Sequence, residues 1–134
     1  MASHRWIEAG HPIIYTSTTP SLAALETLAN LPSAKLFRER TILEIDLEDD
    51  VEEVSLEMTL RLREDAPHED PEARTREFGT AWLKEKRSLA LLAPSFVLPY
   101  ERNVLINPLH PKARSLRILR KDRIRLDQRL LHDG

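Results

Sequence analysis

The sequence is poor in several residue types that build particular kinds of site. It has no cysteine, so a disulfide framework and a thiolate metal site are both excluded. Glycine occurs only at Gly10, Gly79 and Gly134. A phosphate-cradling loop of the P-loop or Rossmann kind is therefore excluded, because such loops need closely spaced glycines.

Long apolar runs are also missing. No segment approaches the roughly 18 consecutive apolar residues of a membrane span, and the first six residues lack the apolar core of a signal peptide. We therefore expect a cytoplasmic protein with no membrane partner.

Apolar residues make up 41% of the 134 positions and charged residues 31%, which suits one folded domain over residues 1–134.

Charge is unevenly distributed, although the net charge is only −2. Residues 44–72 are mostly acidic and residues 112–129 mostly basic. We interpret both as solvated faces of one fold. The basic end leaves nucleic-acid binding open, but it has no interleaved aromatic residues for stacking on bases, so direct nucleic-acid binding is not favoured.

Short β-branched runs and helical patterns alternate along the chain. The patterns predict a helix that has Thr19 as N-cap and Pro20 at the first helical position and is ended by Pro32, and a second helix over 75–87. They predict a buried strand over 12–17, a polar loop over 68–74, and strand or strand-like segments over 41–47, 51–62, 89–93, 96–98, 103–106, 116–119 and 123–126. This arrangement of several short strands with two or three helices predicts an α+β sheet fold.

Residue types alone reveal no catalytic motif. There is no Gly-x-Ser-x-Gly elbow and no His-Glu-x-x-His, and a metal site is not expected from the scattered histidines His4, His11, His68, His110 and His132. Ser95 with His110 and a carboxylate would form a hydrolase triad only if the fold brought them together.

The order of several short strings is more informative. Arg5-Trp6 precedes Tyr15-Thr16-Ser17 and then Leu22-Ala23-Ala24-Leu25-Glu26, and much later comes Pro94–Pro111 with its Asn-x-Leu-Ile-Asn-Pro-x-His-Pro string. From Arg5 to Leu130 this series resembles the RES domain family, which is named for its Arg, Glu and Ser residues.

The resemblance implies a fold and an activity. RES proteins have an ADP-ribosyltransferase-like fold, which implies a mixed or antiparallel sheet with a few helices. They are toxins that degrade NAD by hydrolysis or phosphorolysis, or that ADP-ribosylate a protein. The resemblance implies NAD as the substrate and no metal. It also implies a cognate Xre-type antitoxin as partner, and the toxin can be a homodimer within the antitoxin complex. The family's catalytic positions match Arg5, Tyr15, Glu26 and Ser95, and NAD-binding positions match Arg5, Trp6, Tyr15 and Ser95.

The implied roles fit the chemistry of these side chains. Loss of nicotinamide leaves an oxocarbenium ion on the ribose, which Glu26 would stabilise. Arg5 offers a planar fork for the pyrophosphate. Tyr15 would stack on nicotinamide or sugar, Ser95 would bond the ribose or the carboxamide, and Trp6 would line the same pocket.

The chain also departs from the family pattern. Family members carry a strand and a helix before the arginine, and they favour glycines where this chain has Ser3-His4. We therefore expect an N-terminally shortened RES domain, and the alternative function is a non-catalytic module that binds an antitoxin or another partner. Gly79 and Trp82 are interpreted as packing residues, and Asn103 and Asn107 as backbone-bonding residues.

Overall fold

The computed structural model describes residues 5–47 and 49–131, so the predicted roles of Ser3, His4 and His132 lie outside the described residues. Six strands and three helices follow one another in these residues: β1 Ile14–Ser17, α1 Pro20–Ala29, β2 Arg40–Asp46, β3 Val51–Glu53, α2 Leu56–Glu64, α3 Ala73–Glu85, β4 Ala90–Pro94, β5 Arg102–Ile106 and β6 Arg117–Ile124. The predicted α+β class is confirmed.

The main sheet has four strands in the order β1-β5-β4-β3. β5 pairs antiparallel with both β1 and β4, whereas β3 pairs parallel with β4, so the sheet is mixed as predicted. β2 and β6 form a separate antiparallel two-stranded ribbon in the described part of the chain. β1 is an edge strand and only half-buried, which corrects the prediction of a buried strand there.

The two central strands, β4 and β5, are covered on both faces. Leu91, Ala93 and Leu105 point into one apolar cluster, which also contains Trp6 and Trp82. Ala90, Leu89, Val104 and Ile106 form a second cluster. Because alternate residues of a strand face opposite sides, the unbroken apolar run at 89–93 is explained by burial on both faces.

One face of helix α3 holds the N-terminal segment, residues 5–8. Thr75 donates its hydroxyl hydrogen to the Arg5 carbonyl at 2.6 Å, and the Thr80 hydroxyl accepts the Glu8 amide at 3.0 Å. Between them Gly79 lies against the Trp6 backbone, where a Cβ would come within 1.9 Å of the carbonyl oxygen. A side chain at position 79 would therefore push the segment off the helix.

The period-two pattern of residues 51–62 does not form one strand, and this prediction was wrong. Only Val51–Glu53 is a strand, and a helix begins at Leu56, with Ser55 as its N-cap accepting the Met58 amide. The alternating apolar residues at 56, 58 and 60 are exposed, while the helix buries Thr59 and half-buries Leu62. Good helix formers after a serine cap outweighed the alternation.

Residues 96–98 are also not a strand, in contrast to the prediction. Here the Ser95 hydroxyl accepts the amides of Val97 and Leu98, each at 3.0 Å, which folds the backbone into a turn. A side chain that bonds nearby amides in this way competes with sheet pairing.

The remaining predictions needed smaller corrections. The helix predicted over 75–87 runs from Ala73 to Glu85, so the end of the predicted loop is helical. The two terminal strand segments are one strand, β6, and it belongs to the ribbon. No helix in the described residues is long and apolar enough to cross a membrane.

The contact at Gly79 predicts a large effect of a single methyl group. Gly79→Ala should lower the free energy of unfolding by about 2 kcal/mol or more, because the Trp6 backbone must move out of a packed position. Urea unfolding followed by circular dichroism measures this. Lys84→Ala, at an exposed position of the same helix, should stay within about 0.5 kcal/mol of the parent. Equal stability of the two variants would contradict the packing role of Gly79.

Candidate active site

A cavity of about 690 Å³ opens beside the edge strand β1. Its walls come from β1, α1, the N-terminal segment, the start of α3 and the turn after β4. The lining includes three of the predicted site residues, Arg5, Tyr15 and Glu26. The described residues therefore bring together side chains that are far apart in the sequence.

Helix α1 contributes one polar face to the cavity. Ala23, Glu26, Thr27 and Asn30 line it at helical spacing, while Leu22 on another face is buried in the protein. The helix start is fixed as predicted, since the Thr19 hydroxyl accepts the Leu22 amide at 3.1 Å. The same hydroxyl donates to Glu101 Oε1 at 2.7 Å, which ties α1 to the residue before β5.

Glu26 is held by Ser95. The Ser95 hydroxyl donates to Glu26 Oε1 at 2.7 Å while it accepts the two amides of its own turn. Ser95 is fully buried and is not part of the cavity lining. Its single hydroxyl hydrogen is thus used on the carboxylate, which leaves Glu26 fixed on the cavity wall.

Tyr15 reaches the cavity from β1. Its hydroxyl donates to Asn103 Oδ1 at 2.9 Å, and the buried Asn103 amide donates to the Thr16 carbonyl at 3.3 Å and to Ser17 Oγ at 3.0 Å. Burial raises the pKa of Tyr15 well above its usual range, the negative charge of Glu26 raises this pKa further, and the positive charge of Arg5 offsets part of the increase. Tyr15 is therefore a neutral hydrogen-bonding phenol at neutral pH.

Arg5 lies over an aromatic ring of the cavity lining. Its guanidinium carbon is 5.1 Å from the centroid of Phe96, and its Nη1 is 3.7 Å from Glu72 Oε1. The guanidinium is half-exposed, whereas its backbone carbonyl is bonded to α3. The backbone is thus anchored while the charged group faces the cavity.

Trp6 does not line the cavity. Its side chain is fully buried and makes edge-on contacts with Phe78 and Phe96, with centroids 6.3 and 6.0 Å away. Trp6 Nε1 has no hydrogen-bond partner within the described chain. The structure therefore places Trp6 behind Phe96, as support for the wall rather than a part of it.

Ser95 and His110 are not partners. Ser95 follows β4 and its amide bonds the Glu101 carbonyl, whereas His110 follows β5 at the opposite end of the same strand pair. His110 Nε2 is 3.5 Å from Asp50. The geometry thus rejects the hydrolase triad.

Among residues 5–47 and 49–131, no group of three or more His, Asp or Glu side chains is placed to hold a metal ion.

Some lining residues were missed by sequence reasoning, and some packing roles were anticipated. Glu72 and Arg76 line the cavity and stand one helical turn apart, a spacing that signals a pair but not a site. Asn107 bonds the Leu83 carbonyl and the Leu109 amide, and Trp82 is buried with its indole donating to Ser88 at 2.8 Å, which confirms both interpretations. Asn103 bonds one backbone carbonyl as predicted, but also two side chains.

Comparisons with known proteins identify the family. The model of the RES domain matches residues 1–127. The chain is 35% identical over 131 residues to the Prs ADP-ribosylating toxin of a Sphingobium strain, and the aligned region covers 95% of this chain and 80% of that protein. It is 37% identical over 110 residues to Toxin Res of Yersinia enterocolitica (79% and 68%), and 34% identical over 122 residues to Toxin Res of Pseudomonas putida (90% and 81%).

An α+β fold with these matches defines an ADP-ribosyltransferase-like toxin class. The chain belongs to the RES domain family, as the resemblance indicated. The strings that carried the resemblance, from Arg5 to Leu130, span nearly the same residues as the family match.

The electrostatic coupling of the cavity can be measured without any substrate. The protein has two tyrosines, so Tyr100→Phe leaves Tyr15 as the one tyrosinate signal in an ultraviolet pH titration. We expect little ionisation at pH about 10, where an ordinary tyrosine is half ionised. Adding Glu26→Gln should lower the pKa of Tyr15 because a negative neighbour is lost, and adding Arg5→Gln should raise it. A midpoint near 10 in the folded Tyr100→Phe protein would contradict this arrangement.

Proposed function

We propose that this chain is a toxin that binds NAD in the cavity and breaks the bond between nicotinamide and ribose. The observation that carries the proposal is the fixed carboxylate of Glu26 on the wall of a cavity shared with Tyr15 and Arg5. Membership of a family with an ADP-ribosylating relative supports the same substrate class.

In the proposed reaction, Glu26 stabilises charge that develops on the sugar. The bond between C1′ and the nicotinamide nitrogen breaks with its electron pair moving to that nitrogen, so nicotinamide leaves as a neutral pyridine. The ribose becomes an oxocarbenium ion, and a carboxylate beside it lowers the barrier. Water or another acceptor then attacks C1′ and loses its proton.

Ser95 acts in this proposal by positioning Glu26. Its hydroxyl already donates to the carboxylate and accepts two amides, and it is fully buried, so it does not reach a ligand in the cavity. A hydrogen bond to a charged group contributes about 1.5–3 kcal/mol. The geometry thus favours this role over a direct bond from Ser95 to the ribose or the carboxamide.

The other groups would bind the rest of NAD. Arg5 would give charge-assisted hydrogen bonds to the pyrophosphate, a role that its place in the cavity lining and its half-exposed side chain support. Tyr15, held neutral and bonded to Asn103, offers a ring edge and a fixed phenol oxygen to the nicotinamide ribose. Phe96 offers an apolar surface on the same wall.

Product analysis with matched variants tests the activity. We expect nicotinamide release from NAD by the parent, a loss of about 100-fold or more in Glu26→Gln, and about a 10-fold lower kcat with little change in KM in Ser95→Ala. Glu57→Gln, which changes an exposed carboxylate on α2, should match the parent. Circular dichroism of each variant confirms folding.

The same assay identifies the acceptor. Free ADP-ribose indicates water, a phosphorylated ADP-ribose formed only with added phosphate indicates phosphorolysis, and label transferred from NAD to protein indicates ADP-ribosylation. No nicotinamide from the parent, or equal rates in Glu26→Gln and Glu57→Gln, would overturn the proposed function.

A second part of the proposal concerns the partner. An enzyme that consumes NAD harms the cell that makes it, so we propose an antitoxin of the Xre type as its neutralising partner. Expression of the chain alone should stop growth, and co-expression with the product of the neighbouring gene should restore it. Restored growth without a complex that co-purifies would contradict neutralisation by binding.

A further inference from the structure

A second arginine lines the cavity near Arg5. Arg76, on the first turns of α3, is part of the lining and is only 22% exposed. Its Nη1 is 3.8 Å from Glu72 Oε2, and the other oxygen of the same carboxylate is 3.7 Å from Arg5 Nη1. One carboxylate therefore lies between two guanidinium groups at the cavity wall.

We propose that Arg76 and Arg5 together form the pyrophosphate subsite, and that Glu72 occupies this subsite in the ligand-free protein. The inference rests on the proposed function and extends it by naming a second binding residue and a competing carboxylate. The pyrophosphate of a dinucleotide would displace the Glu72 carboxylate from between the two arginines.

The distances make such a displacement feasible. At 3.7 and 3.8 Å both contacts with Glu72 are longer than the 2.7–2.9 Å of a charge-assisted hydrogen bond. Partly exposed ion pairs of this kind contribute little to stability. A pyrophosphate carries two negative charges and several acceptor oxygens, so it can bond both guanidinium groups at once and outcompete one loosely held carboxylate.

Arg76 is positioned from behind by a different residue. Asp70 bonds its Nη2, which leaves the side of the guanidinium toward Glu72 with only a loose contact. Arg5 is anchored to the same helix, because its carbonyl accepts the Thr75 hydroxyl. The Arg76 guanidinium and the Arg5 backbone are thus both held at α3, which limits the ordering that a pyrophosphate must impose on the site.

The charges of the lining also favour an anion in the cavity. The lining residues include three arginines, Arg5, Arg40 and Arg76, against two carboxylates, Glu26 and Glu72. Glu26 is committed to Ser95. Arg40, which comes from β2, lines the same cavity and therefore offers the alternative position for the pyrophosphate.

Ligand binding by variants tests the inference. The titrations use ADP-ribose, which has the pyrophosphate, and nicotinamide riboside, which has no phosphate. We expect Arg76→Gln to weaken ADP-ribose binding about 10- to 100-fold and to leave nicotinamide riboside binding within about twofold. Arg74→Gln removes the same charge from an exposed neighbour bonded to Glu77, and it should bind both ligands like the parent.

Two further variants keep the test decisive if Arg76→Gln does not fold. Arg76→Lys, which keeps the charge but loses the fork, should weaken ADP-ribose binding several-fold. Glu72→Gln should tighten it, because the competing charge is removed.

The outcomes separate this inference from the proposed function. A parent protein that binds neither ligand overturns both. If the parent binds ADP-ribose and Arg76→Gln (or Arg76→Lys in its place) binds it as tightly as Arg74→Gln does, only the role of Arg76 is overturned. The same holds if Arg40→Gln alone loses ADP-ribose binding. Weaker binding in Glu72→Gln overturns the competing role of Glu72.

Discussion

The close approach of the Trp6 backbone to α3 at Gly79 is the contact on which the site depends. It brings the N-terminal segment against the helix, and the flanking bonds from Thr75 and to Thr80 fix its register. As a result, the Arg5 side chain points to the cavity and Trp6 fills the core behind Phe96. The helix that receives this segment also carries Arg76, so one packing contact organises the cationic end of the cavity.

The carboxylate end depends on polar residues at the opposite side of the cavity. Ser95 bonds Glu26, Asn103 bonds Tyr15, and Glu101 bonds the N-cap Thr19 of the helix that carries Glu26. Asn103 belongs to β5, whereas Ser95 and Glu101 belong to the turn between β4 and β5, and both Ser95 and Asn103 are fully buried. The strand β5 and the turn before it thus hold side chains of an edge strand and a half-buried helix, and so restrict the site to one geometry.

The fold and the site could be predicted from the sequence to different extents. The cap at Thr19 and the apolar run of β4 have local causes, so they were predictable, and ordered strings from Arg5 to Leu130 pointed to the family that the comparisons confirm. The strand prediction failed at residues 56–62 because exposed apolar residues that alternate with polar ones have the pattern of a strand, and the sequence does not show that they are exposed. The pairing of Glu72 with Arg5 and the buried position of Ser95 depend on contacts across about 70 residues, which local patterns do not encode.

The central claim is that NAD lies in this cavity with its nicotinamide ribose at Glu26. A crystal structure of Glu26→Gln soaked with NAD tests this most directly, since the variant should bind the dinucleotide without cleaving it. The account predicts C1′ of that ribose in contact with residue 26, the ring of Tyr15 beside the nicotinamide or its sugar, and the pyrophosphate against Arg5. NAD bound with its adenine at residue 26, or bound outside the cavity, would contradict the account.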